Sequence, residues 1–497
     1  MESSKKKKNV ILLTVECLRA DRIGTFGYEK KTTPNLDELF KRGLLFSRAY
    51  SASSWTAPCI NALLTSTYPF MYDGDVTMNK RTSIAEVLRN NGYTTIGLPF
   101  HAYLSSFFGY DKGFDTFKDG IKEKGNTKEI DSNSEALKYK IRRYIRMKFY
   151  KFDKLFSAKE KSILYKIWTS VKILRIGLVI SKIALLDKRK KYPKMGERLN
   201  KEILSLLKNA HQPFFLWAHY LDTHPPFLPP KNFSRDIGML SKIIVNVKQR
   251  IAMFENKEDA FKPKDLEKLS NLFDMEVEYL DFWIKNLMGE LDYLGLLKDT
   301  YVIITADHGT QFLEHGRIHN ELELYQELVH VPLFIMGPGI PCKEIELPVS
   351  HIDVSPTILD LLNINKPMGL LGKSLLNNGM NDRGGIGVFC EEGQSERGEA
   401  FQTEPGIIKL NKESMKIAYI TKNRSYIFRN NGEDELYDLI KDPRERNNII
   451  NEEREMAEKC LEKIKEHLKE ITYKGKSKEI VNIKRAIKKL RYGKGRI

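Results

Sequence analysis

Cysteine is nearly missing from this chain. The five present (Cys17, Cys59, Cys342, Cys390 and Cys460) are odd in number, scattered, and include no C-x-x-C pair. That spacing excludes a disulfide scaffold and a thiolate zinc site, and it suits a reducing compartment, read here as the cytoplasm. Long hydrophobic runs are lacking too. No apolar stretch reaches the ~18 residues that a membrane-spanning helix requires. The nearest approach, Ile173 to Leu186, is broken by Arg175 and Lys182. Lys5 to Lys8 followed by Val10 to Val15 imitates a secretory leader, but the apolar run is short, ends in Glu16 and has no small-residue cleavage site behind it. We read it as the first core strand. Acidic residues are outnumbered: 65 Asp and Glu stand against 82 Lys and Arg, a formal charge of +17. The excess favours polyanionic partners, namely anionic lipid surfaces, acidic glycans and, ranked last, nucleic acid.

What is there describes a large α/β protein. With 497 residues, 41% apolar and 30% charged, the chain can fill one large core and a smaller appended unit. From residue 9 to about 120, buried-strand runs (Val10 to Val15, Thr94 to Pro99) alternate with helical patterns (Thr33 to Arg42, Ala57 to Leu64, Ser83 to Asn91). That alternation predicts βαβ units and a doubly wound, mostly parallel sheet with helices on both faces. Strands resume at Phe214 to His219, Tyr301 to Thr305 and Val331 to Met336, with Met275 to Leu294 as a long crossover helix. After about residue 380 the pattern changes. Lys416 to Thr421 and Ser425 to Phe428 flank a polar Lys422-Asn423-Arg424 turn and predict a hairpin of a small antiparallel subdomain, followed by a charged helix from about Asn451 to Thr472. The predicted division is 9–375, 380–472 and a basic tail at 473–497.

Residues 138–191 form an insertion that mixes Arg142, Arg143, Arg146, Lys148 and Lys151 with Phe149, Tyr150, Phe152, Phe156 and Trp168. A basic, aromatic-bearing helix can lie in a membrane interface, giving a peripheral contact with an anionic surface. The plainer reading is a solvated lysine face over a helical excursion, and we favour it because basic helices are expected anywhere in so positive a chain. The basic tail carries the same two readings.

Chemistry-bearing residues recur where strands end. Glu16 closes the first apolar run, and Asp307-His308-Gly309 closes the run Tyr301 to Ala306. Open α/β sheets place their ligands at carboxyl ends of strands. Thr56, in Ser54-Trp55-Thr56-Ala57-Pro58-Cys59, opens a helical pattern where threonine caps well and free amides favour an anion. A hydroxyl, two carboxylates and an imidazole are a plausible ligand set for a divalent cation that turns the hydroxyl into a nucleophile. Hard carboxylates with one imidazole suit Mn²⁺, Mg²⁺, Ca²⁺ or Zn²⁺. Other residues read as structural. His219, inside an apolar strand, is a satisfied core histidine, Arg19 and Asp21 fix a loop, and Cys17 and Cys59 are inert filler.

These stretches together resemble the sulfatase-like branch of the alkaline phosphatase superfamily. The resemblance is carried in order by Asn9 to Arg22 with Thr32-Thr33-Pro34-Asn35-Leu36, by His219 to Pro226, and by Thr305-Ala306-Asp307-His308-Gly309 with Glu314-His315-Gly316. Leu324-Tyr325 with Val331-Pro332-Leu333, Asp353 to Thr357, and Glu435 to Leu439 with Asp442-Pro443 continue it. It implies an alkaline-phosphatase-like fold and a sulfatase-like catalytic domain over 9–375. It also implies that Glu16, Asp307 and His308 bind the metal with the Thr56 oxygen. His224 and His319 resemble the family's substrate-side imidazoles, with His315 the alternative to His319. Where the family's sulfatases carry C-x-P-S-R, oxidised to formylglycine, this chain has Thr56-Ala57-Pro58-Cys59-Ile60. Threonine cannot give an aldehyde by that oxidation, and the Glu, Thr, Asp, His set is similar to the superfamily's phosphoethanolamine and phosphoglycerol transferases. The expectation is therefore a metal-dependent hydrolase or transferase that cleaves an anionic phosphoester, lipid- or glycan-linked, through Thr56. The alternatives are a sulfatase acting without formylglycine and, from another class, a non-catalytic module that docks on polyanions or membranes.

Overall fold

The computed structural model describes residues 6–120, 195–235, 237–255, 261–319, 322–376, 387–394 and 407–475. The basic insertion at 138–191 and all but the first three residues of the 473–497 tail lie outside them.

In chain order the strands are β1 (Asn9–Val15), β2 (Leu44–Tyr50), β3 (Thr94–Leu98), β4 (Thr116–Phe117), β5 (Phe214–Tyr220), β6 (Thr300–Ala306), β7 (Gln311–Phe312), β8 (Ile318–His319), β9 (His330–Met336), β10 (Lys343–Ile345), β11 (Val349–Ser350), β12 (Val388–Glu392), β13 (Lys416–Ile420), β14 (Arg424–Arg429) and β15 (Glu435–Asp438). The helices are α1 (Pro34–Phe40), α2 (Thr56–Thr65), α3 (Ile84–Asn90), α4 (Met195–Leu207), α5 (Met239–Glu255), α6 (Pro263–Tyr293), α7 (Gln326–Val329), α8 (Val354–Leu361) and α9 (Arg454–Lys474).

The main sheet runs β10-β2-β9-β6-β1-β5-β3-β4, with β11 also paired to β2. It is mostly parallel, and β9 alone runs against its neighbours β2 and β6. β1 sits between β5 and β6, so all seven of its residues are buried on both faces. This is why its sequence is an unbroken apolar run rather than an alternating one. Register then fixes the site. Val15 lies opposite both Tyr220 and Ala306, so the residues that follow, Glu16 and Asp307, leave the sheet side by side.

The crossover helix is longer than its sequence pattern suggests. α6 begins at Pro263, a residue suited to a first helical turn, and Leu269, Leu272 and Phe273 extend its buried face toward the N-terminus. Lysines and acids between those positions conceal the periodicity. The expected hairpin is there as β13 and β14, joined through Thr421, whose amide donates to the Arg424 carbonyl at 2.8 Å. β12 and β15 complete a four-stranded antiparallel sheet, and α9 packs on β13 and β14. No helix among the described residues is long and apolar enough to cross a membrane.

Candidate metal and nucleophile site

Two strand ends present the carboxylates. After β1 the backbone reverses at Cys17, whose φ of 58° is left-handed. That turn aims the Cys17 amide at Asp307 Oδ1, 3.0 Å away, and the His308 amide donates to the same oxygen at 2.7 Å. Asp307 Oδ2, fully buried, has no hydrogen-bond partner. An orphaned carboxylate oxygen in the interior is costly unless something positive meets it. Glu16 is oriented by His219, whose Nε2 lies 2.8 Å from Glu16 Oε2, while Nδ1 of the same ring lies 2.8 Å from Thr14 Oγ1. His219 is thus buried and satisfied as its strand position suggests, but its partner is a site carboxylate. Core and site meet at that ring, which β1–β5 pairing alone brings there.

His308 closes the set. Its Nδ1 donates to the Gly309 carbonyl at 2.7 Å, since a carbonyl can only accept. Nε2 therefore faces inward, 3.4 Å from Asp307 Oδ2, 3.5 Å from Glu16 Oε1 and 3.4 Å from Thr56 Oγ1. Burial, and then the charge of Glu16, push Asp307 up to about 7. Burial also opposes ionisation of Glu16, but hydrogen bonds from His219 and His308 outweigh it and hold that carboxyl well below its usual range. Against the cost of burial, Asp307 and Glu16 raise His308 to about 9. The cluster therefore demands positive charge at its centre. One orphaned carboxylate oxygen, a second carboxylate and an imidazole nitrogen with its far side fixed suit a divalent cation. Glu16, His219 and Asp307 also have ligand atoms within 4.8 Å of one another, as do Glu16, Cys17 and His308.

Thr56 is buried, and its hydroxyl donates to Glu16 Oε1 at 2.9 Å. The expectation that it caps α2 needs correction. Trp55 occupies the capping position without a side-chain cap, and Thr56 is the first helical residue, its hydroxyl turned to the carboxylate. A charge-assisted bond to a buried carboxylate is stronger than one to a backbone amide. The loop before Thr56 is clamped from the C-terminal sheet, which the sequence did not reveal. Glu392, fully buried, accepts from Ser53 Oγ at 2.8 Å, Ser54 Oγ at 2.6 Å and the Ser54 amide at 3.3 Å. Its neighbour Glu391 donates its amide to the Ala52 carbonyl at 2.8 Å.

The imidazoles sort themselves by geometry. His224 and His319 stand edge to face with ring centres 5.6 Å apart. His101, not singled out in the sequence, lies 6.1 Å from His219 and 6.4 Å from His224, and burial pushes it down to about 4. The available signal was its place just beyond the carboxyl end of β3. His315 is elsewhere, stacked 3.6 Å on Tyr325, with Nδ1 2.7 Å from Glu327 Oε1 and Nε2 2.9 Å from the Glu445 carbonyl. Despite partial burial, Glu327 raises it to about 9. A raised histidine pKa stabilises the fold fully below its unfolded value of about 6.5, and that contribution fades as pH climbs to about 9. His315→Gln should therefore lower the melting temperature at pH 6 and have little effect at pH 10, which differential scanning fluorimetry across that window checks.

Arg19 bridges Asp21, Glu314 and the Thr310 carbonyl, the loop-fixing part expected of it. All five cysteines are free, and Cys17 and Cys59 are buried thiols pushed well above their usual range, chiefly by burial.

Over 486 residues the chain is 24% identical to an arylsulfatase of Clostridium perfringens, covering 90% of this chain and 91% of that one. It is 32% identical over 180 residues to arylsulfatase K of Mus musculus, a match spanning 35% of this chain and 31% of the relative's length. Its fold superposes on the phosphonate monoester hydrolase of Agrobacterium radiobacter with a TM-score of 0.60 at 17% identity, covering 94% and 96% of the two chains. The sulfatase family model matches residues 8–364. With nearly three-quarters of its length under that model, the chain belongs to the sulfatase family.

Proposed function

We propose that this protein is a metal-dependent enzyme that cleaves or transfers a phosphoester through Thr56. The observation that carries this reading is a threonine hydroxyl 2.9 Å from Glu16 and 3.4 Å from His308, where the family's formylglycine precursor would stand. Glu16, Asp307 and His308 would hold a divalent cation together with that hydroxyl. Such an ion supplies a lowered hydroxyl pKa and offsets charge on the ester oxygens.

The chain's own residues do the rest. The Thr56 hydroxyl gives up its proton by way of Glu16 Oε1, the acceptor it already meets, and its oxygen attacks phosphorus; the new P–O bond forms, and the bond to the leaving oxygen breaks with its electron pair on that oxygen. His224 keeps its Nδ1 proton on the Pro225 carbonyl at 2.6 Å, leaving Nε2 as the nitrogen that meets the departing group. Once it has taken a proton from solvent on its free ring nitrogen, the imidazolium of His224 or His319 protonates the leaving oxygen; water or an acceptor alcohol then attacks the phosphothreonine, and the bond from phosphorus to the Thr56 oxygen breaks. Clamping of Ser53 and Ser54 by Glu392 holds the nucleophile's loop in place.

Intact-protein mass spectrometry of His224→Ala after a chase with an aryl phosphate diester should show a phosphoryl adduct on Thr56, slow to clear. Its absence would count heavily against covalent catalysis. The arylsulfatase relatives favour a second reading, sulfate-ester cleavage by an unmodified threonine, and faster turnover of a matched aryl sulfate would select it.

A further inference from the structure

The charge of Arg250 acts on both imidazoles, His224 and His319. Among the described residues no carboxylate pairs with Arg250 of α5, and its hydrogen bond runs from Nη2 to the Pro225 carbonyl at 3.1 Å. That carbonyl is the one His224 Nδ1 uses, so guanidinium and imidazole share an anchor. Burial lowers the Arg250 pKa with nothing to offset it, and its charge helps to depress both His224 and His319. α5 is held in place by Asn246, which accepts from the Phe227 amide at 2.7 Å and donates to the Phe227 carbonyl at 2.9 Å. Asn246, Gln249 and Arg250 are spaced i, i+3 and i+4, and so share a helix face. Gln249 is fully buried, yet neither its Oε1 nor its Nε2 has a hydrogen-bond partner. An uncompensated cation and an unmet amide on one helix face are both unfavourable until a ligand answers them.

We propose that Arg250, with Gln249 beside it, forms a subsite for a second anionic group of the substrate, on the leaving-group side of the scissile ester. The proposal rests on the reading that His224 and His319 border that ester. A guanidinium has five donors in a planar fork, and one is used here, so an open edge can take two oxygens of a carboxylate, sulfate or phosphate. The substrate class is an ester whose alcohol part itself carries an oxyanion.

The test is calorimetric binding of phenyl phosphate and 4-carboxyphenyl phosphate to the Thr56→Ala chain in saturating Mn²⁺, so that no turnover is needed. The carboxylated ester should bind about ten-fold tighter, the worth of one charge-assisted contact. Adding Arg250→Gln should erase that preference, and Arg250→Lys should restore part of it. A preference that survives Arg250→Gln, or equal weakening of both esters, overturns the subsite. Failure of both esters to bind removes the phosphoester reading and the subsite with it, whereas binding of both without discrimination removes the subsite alone.

Discussion

Thr56→Ala should slow turnover of any ester the wild type cleaves by on the order of 10³-fold or more, because it deletes the attacking atom rather than a supporting contact. The loss should fall on kcat. Thr56→Ser keeps a hydroxyl within reach of Glu16 Oε1 and should retain measurable turnover, while Thr56→Val keeps the shape and loses the chemistry. The alanine variant must also be folded, which its melting temperature reports; losing the buried hydrogen bond that Thr56 donates to the Glu16 carboxylate costs about 1.5–3 kcal/mol. Steady-state rates that remain above a tenth of wild type would end the case for a threonine nucleophile. Water activated directly by the site would then have to attack.

Asp307→Asn should reverse the order of stability with and without metal. Asparagine keeps an Oδ1 acceptor for the Cys17 and His308 amides and removes a buried negative charge next to Glu16. Asp307 is raised to about 7, so in the metal-free protein its ionisation destabilises the fold progressively as pH rises from its unfolded value near 4 through 7. At pH 8 in chelator, the variant should melt about 1–3 °C above wild type. With Mn²⁺ at 100 times its dissociation constant, wild type gains about 2.7 kcal/mol by linkage. The variant, short of one anionic ligand, should gain far less and fall behind. Melting curves in chelator and in Mn²⁺ decide it: a variant less stable than wild type under both conditions would mean that the Asp307 carboxylate is a structural acceptor and not a cation ligand.

Much of this architecture was legible from residue order. The unbroken apolar runs at β1, β5 and β6 identify central parallel strands, because only strands covered on both faces dispense with alternation. The polar Lys422-Asn423-Arg424 break announced the β13–β14 hairpin, and acids directly after apolar runs pointed to Glu16 and Asp307. Less visible were residues whose meaning depends on a partner far along the chain. Glu392 reads as one more surface acid in a lysine-rich protein until β12 carries it to Ser53 and Ser54, some 340 positions earlier. The first turns of α6 are hidden by their charges, since helix geometry permits a buried stripe that linear inspection misses.

Histidine shows the division most sharply. His224 and His319 stood out by motif, whereas His101 had only its place after a strand; residue order left His315 and His319 level, and the fold places one against Tyr325 and the other against His224. Sequence alone determined the strand ends, the residue types with ligand chemistry, the charge excess and the threonine that stands where the family's C-x-P-S-R motif has its cysteine. Tertiary structure alone decided that Val15 pairs with Ala306, that His219 serves Glu16, and that Arg250 shares the Pro225 carbonyl with His224. The reason is register: local propensity sets which segments become strands, but the alignment of one strand against another is fixed by long-range packing, and a slip of one residue would point Glu16 and Asp307 to opposite faces.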